Sequence, residues 1–139
     1  MDAMHSQLIL QISRKKWWHV PPADPTAYQK RGKFLSSSFR EAEFYGRPLD
    51  EPEMVSVMSP CVGDEQAIEK MLFGKRLSRD DMSIRERLDL DAKMKSAALK
   101  MGFDSIVLTG PKGFEEYQKS GKIPRSIELN LLTVKKRVA

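Results

Sequence analysis

Residues 33–46, Lys-Phe-Leu-Ser-Ser-Ser-Phe-Arg-Glu-Ala-Glu-Phe-Tyr-Gly, constrain the fold more than any other stretch. Ser38 has the side chain of a helix N-cap, since its hydroxyl can accept from a first-turn N–H, and Glu41 stands where a capping box places its carboxylate. Phe39, Ala42, Phe44 and Tyr45 are expected to form an apolar stripe against a sheet. Gly46 then ends the helix, with Pro48 just beyond. The stretch therefore predicts a strand that turns through a polar corner into a docked helix. Ser36, Ser37 and Ser38 together bring more hydroxyls to that corner than capping alone requires.

Upstream, Leu8, Leu10 and Ile12 alternate within residues 7–12, which predicts a core strand. Arg14, Lys15 and Lys16 separate it from a second extended stretch, residues 17–20, closed by Pro21 and Pro22. Asp24 and Pro25 predict a short helix over 26–31 that Gly32 stops. Downstream, the alternation in 54–58 predicts a strand ended by Pro60. Asp64 caps a helix whose stripe is Ala67, Ile68, Met71 and Leu72 and whose stop is Gly74. Ser83 and Glu86 form a capping box for a longer helix ending at Gly102, and residues 103–109 have the β-branched character of a buried strand. A short helix over 113–120 and a final strand over 126–132, with Ile127, Leu129 and Leu131 facing inward, complete an α+β domain of about six strands.

The length of 139 residues suits one domain, spanning 1–139 with a basic tail over 133–139. No apolar run reaches the roughly 18 residues of a membrane span, and the first ten residues lack the pattern of a secretory signal. A soluble, cytoplasmic protein without membrane partners is expected. One cysteine, Cys61, and two histidines, His5 and His19, make disulfide frameworks and His- or Cys-based metal sites poor expectations, and no metal is predicted. A net charge of +5 favours anionic partners without specifying which.

Gly32, Phe34, the three serines, Ala42 and Tyr45 resemble the G-x-F-x-S-T-S…A-x-x-Y segment of the ADP-ribosyltransferase superfamily. Gly102-Phe103-Asp104-Ser105-Ile106, followed later by Ser126-Ile127-Glu128-Leu129, is similar to that family's G-Y-D-G-I strand and its late strand with the catalytic glutamate. The landmarks fall in the family's order. The resemblance implies a split, mostly antiparallel sheet, NAD as substrate in its cleft, and ADP-ribosyl transfer or NAD cleavage with loss of nicotinamide. It also implies a protein or nucleic-acid acceptor of unspecified identity. Carried over position by position, Glu128 is the catalytic carboxylate, and Ser37 supports either that glutamate or the nicotinamide ribose. Ser36, Ser38 and Tyr45 border the cofactor, with Tyr45 stacking on nicotinamide. His19 and Arg14 compete for the cofactor-gripping role of the family's first strand, with His19 favoured. Ser126 stands two residues before Glu128, where arginine-directed members carry Glu or Gln, so arginine is not the implied acceptor.

The residue types suit that chemistry. Breaking an N-glycosidic bond builds positive charge on the ribose, which one well-placed carboxylate can stabilise while hydroxyls fix its orientation. A competing expectation is a non-catalytic module in which Trp17 and Trp18, with Arg14, Lys15 and Lys16, stack on and neutralise single-stranded nucleic acid. The same fold stripped of activity and bound to a protein partner is a third.

Overall fold

In the computed structural model, which describes residues 3–77 and 81–133, helices start and stop where local chemistry dictates. Asp64 accepts from the Ala67 N–H at 2.8 Å to begin α4 (Glu65–Phe73), and Gly74 ends it in the left-handed conformation at φ 75°. Ser83 and Glu86 close a reciprocal capping box at the head of α5 (Ile84–Lys100). Pro111 occupies the first turn of α6 (Pro111–Ser120), where its missing N–H costs nothing. Earlier in the chain lie α1 (Ala3–Arg14), α2 (Ala27–Arg31) and the single turn α3 (Phe39–Ala42), continued by a 3-10 turn, Glu43–Tyr45.

The strands β1 (Trp18–His19), β2 (Lys33–Ser36), β3 (Pro60–Gly63), β4 (Ser105–Leu108) and β5 (Glu128–Leu131) form one mixed sheet in the order β1-β2-β5-β4-β3. Only β3 and β4 run parallel; the other neighbours are antiparallel. The fold is α+β. Alternation sends Leu35, Val107 and Leu129 to one face, where they pack with Leu8 and Ile12 of α1 and Tyr117 of α6. Cys61 and Ile106 point to the other, against Ile68 of α4 and Leu90, Met94 and Ala98 of α5.

Several expectations are corrected. The sheet is continuous rather than split, because β5 pairs with β2 on one edge and β4 on the other. Residues 7–12 are helical: Leu8 and Ile12 are buried one turn apart while Leu10 is 46% exposed, so the period is 3.6 rather than 2. Residues 54–58 do not join the sheet, although Val57 is buried. The Asp104 carboxylate takes the N–H groups of Met58 and Ser59, at 2.7 and 3.0 Å, and the strand begins at Pro60, a place where proline is tolerated. The stripe of 39–45 is also not buried as expected. Ala42 is in the core, but Phe44 is 85% and Tyr45 69% exposed, because the helix lasts one turn and its 3-10 continuation faces outward. Apart from Thr133, the basic tail lies outside the described residues.

Gly32, at φ 91°, delivers the chain from α2 into β2. A Cβ there would lie 2.3 Å from Asn130 Oδ1 and 2.6 Å from the Leu131 carbonyl oxygen. Gly32→Ala is therefore expected to destabilise the fold by about 2 kcal/mol or more, read as a lower urea midpoint at unchanged slope.

Candidate active site

One end of the sheet carries a row of residues in direct register across all of its strands: Trp18, Ser36, Glu128, Leu108 and Gly63. Directly opposed residues project to the same face, so Glu128 lies at the centre of this row on the α4–α5 side of the sheet. The serine corner is built into the same end. Ser36 is buried, and its hydroxyl donates to the Ser38 carbonyl and accepts from the Ser38 N–H. Ser37 accepts from the Ile127 N–H at 2.9 Å and donates to the Arg125 carbonyl at 3.0 Å, which fixes the residue immediately before Glu128. Ser38 caps α3 by accepting from the Glu41 N–H. Each serine thus has a structural partner, and Ser37 acts on Glu128 through backbone rather than through its carboxylate.

The carboxylate itself meets Tyr45, whose hydroxyl donates to Glu128 Oε1 at 2.6 Å. That hydrogen bond, partial burial and the negative charges of Glu128, Glu41 and Asp91 push the Tyr45 phenol up to about 12. The other Glu128 oxygen makes no hydrogen bond, and Glu128 has no cationic partner, among the described residues. Trp18, at the β1 end of the row, meets the edge of Phe39 with ring centroids 4.9 Å apart. Beyond Leu108, at the β4–β3 end, a cleft of about 610 Å³ opens between Asp64, Glu65, Glu69, Arg76 and Thr109. Its size falls within the roughly 300–1,000 Å³ usual for small-molecule sites, and it lies past the carboxyl ends of the two parallel strands.

The sequence candidates divide by face. Ser36 and Glu128 share the row, Ser37 and Ser38 hold its corner, and Tyr45 reaches it. His19 and Arg14 are not brought to it. His19 pairs with Leu35 and so takes the opposite face, buried, while Arg14 is exposed in the last turn of α1, which packs on that opposite face. The Phe34 carbonyl, 2.8 Å from His19 Nδ1, can only accept, so Nδ1 carries the proton and Nε2 accepts from the Tyr28 hydroxyl at 2.8 Å. Trp18 is the β1 side chain on the Glu128 face, a placement that sequence reasoning missed by one residue of register. Trp17 is wholly buried with its indole N–H on the Ile12 carbonyl, which removes it from any nucleobase-stacking surface. Burial pushes the Cys61 thiol up to about 11, so it is no nucleophile at neutral pH. Among the described residues no cluster of three or more His, Cys, Asp or Glu is arranged to hold a metal, and no helix is long and apolar enough to cross a membrane. Set against protein-family models, curated proteins and solved structures, the chain matches none.

Two measurements check these environments. Because the folded phenol ionises above the ordinary value of 10.0, its contribution to stability is complete below that pH and is lost as pH rises toward about 12. Near-ultraviolet titration is expected to show Tyr45 ionising late, beside a Tyr28 that burial also raises, and Glu128→Gln should bring the Tyr45 ionisation back toward the ordinary value. His19 behaves in the opposite sense: desolvation lowers its pKa below 6.5, so folding is strongest above that pH and weakens as acid charges the buried ring. The urea midpoint should fall on acidification below 6.5, less steeply in His19→Gln.

Proposed function

We propose that this chain cleaves the bond between nicotinamide and ribose in NAD and passes the ADP-ribosyl group to water or to a nucleophile on a protein or nucleic-acid acceptor, in an ADP-ribosyltransferase-like arrangement. The observation that carries this reading is the state of Glu128: a carboxylate at the centre of the end row, held at one oxygen by a neutral phenol and, among the described residues, open at the other. An oxygen of that kind can accept from a ribose hydroxyl while its charge faces the anomeric carbon. As the C–N bond breaks, the bonding pair leaves with nicotinamide, which departs neutral. The attacking oxygen or nitrogen then bonds to the same carbon and loses its proton. Glu128 stabilises the positive charge that accumulates on the ribose between these events.

The neighbourhood supports a flat, cationic ring beside the carboxylate, since Trp18 and Phe39 supply aromatic surface and Glu41 and Asp91 add negative potential at Tyr45. The cleft beyond Leu108 has the volume for the rest of a dinucleotide, with Arg76 and the starts of α4 and α6 on its walls beside the carboxylates Asp64, Glu65 and Glu69. Ser126, exposed two residues before Glu128, supplies neither carboxylate nor amide to orient a guanidinium, which argues for an acceptor other than arginine.

Nicotinamide release from NAD by the purified protein is the test. Glu128→Gln keeps the shape and removes the charge, so turnover is expected to fall at least about tenfold; equal turnover in the two proteins would remove Glu128 from the chemistry.

A further inference from the structure

We infer that Tyr45 is a positioning residue for Glu128, acting through its hydroxyl rather than by stacking its ring on the substrate; this role rests on the reaction proposed above. The two residues are 83 positions apart in sequence, and their contact of 2.6 Å has the length of a hydrogen bond to an ionised oxygen. Packing does not explain it. Tyr45 is 69% exposed and its neighbour Phe44 is 85% exposed, so no core holds the ring in place. The hydroxyl is what ties the 3-10 turn Glu43–Tyr45 to the strand end.

The consequence falls on the carboxylate. A glutamate at the first position of a strand end, half-buried and with no cation beside it among the described residues, would sample several rotamers. Engaging Oε1 restricts it and leaves Oε2 as the free acceptor for a substrate hydroxyl. The charged and titratable groups facing the phenol are Glu128 of β5, Glu41 of α3 and Asp91 of α5, and all three oppose its ionisation. The donor therefore keeps its proton across the neutral range.

Steady-state nicotinamide release by wild type, Tyr45→Phe and Glu128→Gln decides the matter, with urea midpoints to show that each variant is folded. Phenylalanine keeps the ring and deletes the hydroxyl. A positioning role predicts that kcat in Tyr45→Phe falls about tenfold or more, while KM for NAD changes less than about twofold. A ring that only stacks predicts wild-type kinetics in Tyr45→Phe, and that result, or a loss confined to KM, overturns the inference while a drop in Glu128→Gln leaves the proposed function standing. If wild type releases no nicotinamide, or Glu128→Gln matches it, the proposed function fails and this role fails with it.

Discussion

The double pairing of β5 is the constraint on which the rest of the structure depends. Its four residues, Glu128–Leu131, bond to β2 along one edge and to β4 along the other. Leu129 is thereby committed to the core under α1 and α6, and Glu128 and Asn130 to the opposite face. A slip of one residue in either direction would exchange Leu129 for Glu128 or Asn130 in the core under α1 and α6. It would also break the clip between Ser37 and Ile127. The position of Glu128 is thus a consequence of hydrophobic register, enforced by a hydroxyl at the strand's entrance.

What the sequence made legible was local. Asp64, the Ser83–Glu86 box and Gly74 act within a few residues of themselves, and each stands where its chemistry places it. The β4 and β5 strands were equally plain, because alternation and β-branching repeat within a single segment. Residues 7–12 were ambiguous for a physical reason: Leu8 and Ile12 satisfy both an alternating pattern and a helical one, and only the exposure of Leu10 separates the two. Pro60 misled in a similar way, since a proline that usually closes a strand here opens one.

The site was legible in its parts but not in its contacts. Glu128, the serines and Tyr45 stood out as residue types at telling positions, yet which of them touch depends on strand pairing and on how far a one-turn helix runs before it swings outward. Whether Trp18 or His19 faces the row is decided by a single step of register on a two-residue strand, too short for periodicity to resolve. The expected burial of Phe44 and Tyr45 failed because α3 stops after one turn. The same early stop is what allows the Tyr45 hydroxyl to reach across to β5.

The choice of partner for Glu128 bears on what the site can do. A lysine or arginine would hold the carboxylate at least as firmly, but it would also cancel much of the charge, leaving little field for a cation forming on a substrate. A phenol fixes one oxygen while contributing no charge, and with its ionisation pushed to about 12 it does so across the whole neutral range. Glu41 and Asp91 act in the same direction, since their charges oppose loss of the phenolic proton and add to the negative potential around Tyr45. On the proposed reaction, the geometry of a single side chain is then set by a neutral hydrogen bond and its electrostatics by surrounding carboxylates, so orientation is gained without loss of field.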